Sequence, residues 1–335
     1  MYGRKAVFAA IAALCGAISG CATQPPPRPF WQGPYQDVAL GLSASKAVFS
    51  SPPWLATPRG SSDVLIWAFA TGECGQERWG NNIDSDAFAR ANVAAMERAG
   101  RNFIVATGGE AGIFTCADPL AAERFVQRYA SPRLVGFDFD IEGRQSPEQI
   151  DALVRSAAHI KQQWPALHLM FTLATHAATD GTERSLNATG ERVLQALHKH
   201  GLAKTAIINL MVMNYGPPDS KWCAVATSGT SPRCDMGRSA LQAVNNVHRK
   251  YDVPLGRIAI TAMLGENDVV GNVTTVEDAE HMFDGARRLG LAGVHYWSLD
   301  RDQPCAAGAP RVSPQCHSVP GVPVGRFGDV LRAPQ

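Results

Sequence analysis

What this chain of 335 residues lacks first is charge of one sign: 31 Lys and Arg stand against 30 Asp and Glu, for a net charge of +1. No basic surplus is available to neutralise a phosphate backbone, and no acidic or basic run stands out, so nucleic acid is not an expected partner. Nucleotide fingerprints are missing as well. ATGGEAG, from Ala106 to Gly112, comes nearest, yet it has neither the G-x-G-x-x-G spacing nor a P-loop Lys. The absence of a G-x-S-x-G elbow removes the usual serine nucleophile. Without C-x-x-C or H-x-x-x-H spacing, neither a metal nor a cofactor is expected. No internal repeat or low-complexity region interrupts the chain.

What is present begins with Arg4 and Lys5 ahead of an apolar run that ends Ile18, Ser19, Gly20, Cys21. It reads as an export signal, too short for a stable membrane span. Its end resembles a bacterial lipobox, which implies cleavage after residue 20 and a lipid on Cys21; a plain signal peptide cut elsewhere is the alternative. Ala22, rather than Asp, after that cysteine resembles lipoproteins of a Gram-negative outer membrane. Residues 21–34 contain TQPPPRP, a Pro-rich spacer between membrane and domain. Beyond Cys15 and Cys21 lie six cysteines, an even number that an exported chain would oxidise. The close pairs Cys223–Cys234 and Cys305–Cys316 read as loop staples, leaving Cys74–Cys116, although six cysteines allow about 15 connectivities.

Residues 35–331 are long enough for one barrel of about 250 residues. Eight short apolar segments recur there: Asp37–Leu40, Val64–Ala70, Phe103–Thr107, Leu134–Asp140, His168–Leu173, Ala206–Met213, Ile258–Met263 and Gly293–Leu299. Helical i, i+3, i+4 patterns separate many of them, as in PEQIDALVRSAAHIKQQW and VEDAEHMFDGARRLG. This alternation predicts an α/β fold, a single (β/α)8 TIM barrel with disulfide-stapled loops. The first segment is the weakest, because Pro52 and Pro53 follow where a helix should be.

The chemistry concentrates in LVGFDFDIEG, Leu134 to Gly143. Strand alternation puts Asp138, Asp140 and Glu142 on one face, with Phe137, Phe139 and Ile141 on the other. A solvated strand edge would also carry acids, but an apolar wall behind them suits the inside of a barrel mouth, where active sites of such barrels lie. Carboxylates about 7 Å apart along a strand oppose one another's ionisation, so at least one proton is expected to stay bound near neutrality.

This segment resembles the strand-4 signature D-G-x-D-x-D-x-E of glycoside hydrolase family 18, the chitinase family, with Val135 in place of the outermost Asp. ATGG is similar to the family's S-x-G-G, with Ala106 for Ser and with Gly108 and Gly109 letting backbone pass close to acids or sugar. INLMVMNYGPPD resembles the strand-6 motif M-x-Y followed by Asp or Asn in two registers. Met213 stands for the Tyr and Asn214 supplies the amide, or Tyr215 is the Tyr and Gly216 replaces the acid. A site using both Asn214 and Tyr215, with Met211 and Met213 beside them, is the expectation. ITAMLGENDV resembles T-P-M-I-G-x-N-D of a bacterial branch, putting Asn267 and Asp268 at the mouth. HYWSLDRDQPC matches that branch's W-S-x-D-R-D-x-P-C, with Trp297 as sugar floor, while Asp300, Arg301 and Asp302 are expected to form an ion network. Trp79 and Trp222 lie in loops, either stacking on further sugars or packing locally. His176, just past the fifth segment, is the only His expected near the mouth, and no His is assigned a catalytic role.

The resemblance implies hydrolysis of β-1,4-linked N-acetylglucosamine with retention. Glu142 would act as general acid and base, Asp140 would hold the acetamido group whose carbonyl attacks the anomeric carbon, and Asp138 would share its proton. Chitin or a related oligosaccharide is the expected partner of a monomeric, lipid-anchored envelope protein. A non-hydrolytic chitin-binding lectin and an endo-β-N-acetylglucosaminidase on other glycans are the alternatives.

Overall fold

The computed structural model describes residues 29–41, 63–226 and 231–332. Within them, eight parallel strands close into a barrel. They are β1 Trp31–Asp37, β2 Val64–Ala70, β3 Asn102–Gly108, β4 Leu134–Asp140, β5 His168–Ala174, β6 Ile207–Met211, β7 Ile258–Met263 and β8 Gly293–Trp297. The ring closes between β1 and β8, with Trp31 opposite Gly293. Around it run α1 Val38–Gly41, α2 Ser85–Arg98, α3 Pro119–Arg128, α4 Pro147–Gln163, α5 Ala188–Lys199, α6 Met236–Tyr251, α7 Val276–Leu289 and α8 Arg326–Leu331. The expected (β/α)8 architecture is therefore present, as are the disulfides Cys74–Cys116, Cys223–Cys234 and Cys305–Cys316. The leader, Cys21 and most of the spacer lie outside the described residues.

Period-two alternation builds two layers from each strand. On β4, Phe137 and Phe139 point outward, where they meet Phe125 at 4.8 Å and Phe171 at 5.2 Å between ring centres. Asp138 and Asp140 consequently point into the barrel. The helices stop and start on local chemistry. Ser146 and Gln149 form a reciprocal cap on α4 with Pro147 in its first turn, and Thr275 and Asp278 do the same for α7.

The first segment needs correction. The strand is Trp31–Asp37, which begins inside the stretch assigned to the spacer, and Val38–Gly41 turns helical. Pro34 removes one ladder donor from that strand. Yet β1 pairs with β8 over residues 31–34 and with β2 over 35–37, so the missing Pro34 N–H falls where the strand passes from one neighbour to the other. The local-packing alternative holds for Trp79. It is buried, stacks on Phe88 at 4.1 Å and donates from Nε1 to Tyr129 Oη at 2.8 Å, so it offers no face to a sugar.

Cys74–Cys116 staples the segment after β2 to the segment after β3 across a sequence separation of 42, against 11 for each of the others. Loop-closure entropy grows with that length, giving about 4 kcal/mol for the first and about 3 for each of the others. Replacing Cys74 and Cys116 with Ala is expected to lower the melting temperature more than opening either short loop. Equal shifts in calorimetry would show that native contacts, not chain entropy, set the effect.

Candidate active site

The C-terminal ends of the strands surround a cleft of about 780 Å³. Its floor is aromatic. Trp297 from β8 and Phe69 from β2 stack at 5.4 Å with 22° between planes, and Tyr35 from β1 tilts against both at 6.3 Å. Gly109 explains how Phe69 gets there: with φ of +81°, it would place a Cβ 2.8 Å from the Phe69 ring. Gly109 is thus a support behind the floor, absent from the cleft lining where the sequence put it.

Facing that floor stands the carboxylate ladder. Asp140 and Glu142 line the cleft, while Asp138 lies fully buried beneath them. Asp138 accepts from Tyr35 Oη at 2.7 Å and from Thr172 Oγ1 at 2.6 Å. Asn209 Nδ2 reaches Tyr35 Oη at 3.0 Å, Thr172 Oγ1 at 2.9 Å and Thr261 Oγ1 at 2.7 Å, so one polar tier crosses the barrel interior under the acids. Sequence reasoning missed this tier. Its signal was a polar residue inside each of three otherwise apolar strands, on the inward parity: Thr172 in HLMFTLA, Asn209 in IINLM and Thr261 in IAITAM.

Burial dominates the electrostatics. It pushes Asp138 up to about 7 against the opposing hydrogen bonds from Thr172 and Tyr35. It raises Asp140 well above the carboxylate range, helped by the charges of Glu142 and then Asp138. Glu142 rises to about 7 through burial first and then Glu110, with Arg144 opposing and Asp268 adding to the rise. Both oxygens of Asp138 already accept hydrogen bonds, whereas Asp140 Oδ1 is buried without a partner among the described residues. An ionised Asp140 would be poorly solvated, so Asp140 holds its own proton firmly.

These raised values carry a stability consequence with a definite sign. From about pH 4, where unfolded carboxylates titrate, up to about 7, the folded chain holds protons at Asp138, Asp140 and Glu142 that the unfolded chain has lost. Their stabilising contribution, full below the unfolded pKa, is therefore lost as pH rises through that window. Thermal unfolding of the wild type minus that of Asp140→Asn should show this loss setting in as pH rises above about 4; a flat difference would place the raised ionisation elsewhere.

The opposite wall comes from β6 and β7. Met211, Met213 and Asn214 line the cleft with Met263 and Asp268. Tyr215 does not reach it. Asn214 takes a left-handed φ of 50°, which breaks strand parity after Met213 and turns Tyr215 into the core, fully buried. Asn267 is likewise buried scaffold, donating to the carbonyls of Met263 and Gly265 at 3.2 and 2.9 Å. Asn214 itself donates to Asp268 Oδ2 at 2.7 Å and accepts from Val269 N at 3.2 Å, tying the two loops together.

The expected ion network at Asp300, Arg301 and Asp302 is instead a set of backbone clamps. Arg301 is buried and donates to the carbonyls of Leu264, Glu266 and Ser313. Asp302 accepts from the amides of Phe327 and Gly328 at the start of α8, and Asp300 from that of Asp37. A guanidinium held by three carbonyls keeps the Asp268 loop in place. Trp222 is half-buried under the Arg184 guanidinium, 4.6 Å from its ring centre, and is not among the cleft-lining residues. Among the described residues, no group of three or more His, Cys, Asp or Glu is arranged to hold a metal.

No family model matches the chain. Over 261 residues it is 25% identical to a probable bifunctional chitinase/lysozyme of Escherichia coli K12, a match covering 72% of this chain and 27% of that protein. Over 235 residues it is 25% identical to Endochitinase 11 of Metarhizium anisopliae, covering 64% and 43%. The chain thus spans less than half the length of these curated relatives. Among solved structures, the catalytic domain of a hyperthermophilic chitinase from Pyrococcus furiosus superposes with a TM-score of 0.68 at 23% identity, covering 91% of this chain and 95% of that one. Both this cleft and its carboxylate ladder lie at the mouth of a closed parallel barrel. In sequence the chain is thus similar to parts of two chitinases, and it shares the barrel fold of a third.

Proposed function

We propose that the protein hydrolyses β-1,4-linked N-acetylglucosamine with retention of configuration. The observation that carries this reading is the ladder, which leaves Glu142 at the cleft with its pKa raised to about 7 beside the buried, proton-holding Asp140. An acid of that pKa is still largely protonated at mildly acidic to neutral pH and can give its proton to a glycosidic oxygen. No second cleft carboxylate is needed as nucleophile, because the substrate's own acetamido carbonyl attacks the anomeric carbon. The acetamido N–H supplies the partner that Asp140 Oδ1 lacks, which lets Asp140 ionise as positive charge develops on the oxazolinium ring. Asp138 takes part in that proton's redistribution. Trp297 packs its indole face against the apolar face of the reacting sugar, and Met211 and Met213 shape the pocket around it. Water then opens the ring from the same face, with Glu142 as base. The proposed protein works from the cell envelope, tethered through Cys21.

Incubation of the purified protein with chito-oligosaccharides, followed by anomer-resolved NMR, tests the reading. Product that appears first as the β-anomer is expected. The α-anomer appearing first would sink the mechanism, and saturable binding without cleavage would favour a lectin.

A further inference from the structure

The wall contributed by β5 has one polar atom left over. Along its inward face, Thr172 is committed to the tier below, and Ala174 is apolar; Thr175, beside them, turns its hydroxyl to the carbonyl of His176 at 3.1 Å. His176 also lines the cleft. Its ring is locked from three directions. Nδ1 lies 2.9 Å from the carbonyl of Tyr215, the ring packs edge-on against Trp222 at 4.8 Å, and its own amide is held by Ser185 O at 2.9 Å. A carbonyl can only accept, so Nδ1 carries the hydrogen, and on a neutral ring Nε2 must then be a bare acceptor. Burial, with a smaller contribution from Arg184, lowers the pKa of His176 and keeps it neutral. Nε2 has no hydrogen-bond partner among the described residues.

The place of His176 in the ring of strands says what this acceptor meets. Trp297, Tyr35 and Phe69 come from β8, β1 and β2, whereas Glu142 and His176 follow β4 and β5 on the facing side. Asp140 is in register with Thr172, and Glu142 and His176 both line the cleft just past the ends of these two neighbouring strands. If the aromatic floor seats the sugar that reacts, the sugar released by Glu142 passes the β5 wall. We infer that His176 is a specificity-determining residue for the leaving group, accepting a hydrogen bond from a hydroxyl of the departing sugar. The inference rests on the hydrolytic reading above and assigns its leaving-group side.

The test compares leaving groups. Wild type, His176→Phe and His176→Gln are assayed on an N-acetylated chito-oligosaccharide, whose leaving group bears hydroxyls, and on 4-methylumbelliferyl diacetylchitobioside, whose leaving group has none to donate to the wall. Phe keeps a ring against Trp222 but removes the acceptor, and Gln can restore one. The ratio of kcat/KM on the oligosaccharide to that on the aryl glycoside should fall about three- to tenfold in the Phe variant, as loss of one neutral hydrogen bond implies, and recover with Gln. A ratio unchanged by Phe, with both substrates slowed together, would make His176 a packing residue and overturn the assignment. Failure of the wild type to cleave either substrate would instead bring down the hydrolytic reading itself, and this inference with it.

Discussion

Glu142→Gln is expected to lower kcat on chito-oligosaccharides by about a thousandfold, within the range of about 10² to 10⁴ for loss of a positioned general acid. The amide keeps the shape of the side chain and its place beside the floor but has no proton to give at neutral pH. The argument is sharpened by the environment. Burial and Glu110 lift Glu142 to about 7, with Arg144 pulling the other way, so this group is both exposed to the cleft and tuned for donation. On an aryl glycoside, whose leaving group departs with little protonation, the loss should be smaller, because only the later base role remains to be missed. Wild-type kcat/KM should decline on its alkaline side with an apparent pKa near 7, a limb that the variant lacks. Saturable oligosaccharide binding by the variant would separate lost chemistry from lost folding. Retention of a tenth or more of the activity would falsify the assignment of Glu142 as the acid.

The barrel and its ladder were legible because both rest on short-range periodicity. Leu134–Asp140 and Val64–Ala70 form strands over the expected residues, and the alternation of Phe137, Asp138, Phe139 and Asp140 sorts them to opposite faces. The disulfides were legible because spacing left one economical pairing. What escaped depended on where the chain turns or on which neighbour a strand finds. Tyr35, which floors the cleft and holds Asp138, was hidden in a strand interrupted by Pro34, and only pairing with two different neighbours makes that strand possible. Tyr215 was misplaced because strand parity was extended through Asn214, whose left-handed backbone ends it. Arg301 looked ionic beside two aspartates, yet its partners are carbonyls 12 to 37 residues away from it that carry no sequence mark. The same holds for the acceptor on His176, which is set by a carbonyl 39 residues away.

Asp140→Asn should cost about 10² to 10³ in kcat with little change in KM, the pattern for a group whose interaction strengthens only as charge develops. In the empty cleft the low-energy state of Asp140 is the protonated one, since its Oδ1 lies buried without a partner among the described residues and both Glu142 and Asp138 oppose its ionisation. Asn imitates that protonated form closely, so ground-state binding and folding should survive. It cannot become an anion, however, when the acetamido group arrives and the oxazolinium ring forms, and the step that needs that anion should slow. Asp138→Asn acts one position further from the sugar, and the hydrogen bonds from Tyr35 and Thr172 fix it in place; its penalty should therefore be the smaller of the two. Steady-state kinetics on a common oligosaccharide would rank them. A loss in Asp140→Asn confined to KM would mean that Asp140 merely seats the substrate, and a larger loss in Asp138→Asn would move the developing negative charge one rung down the ladder.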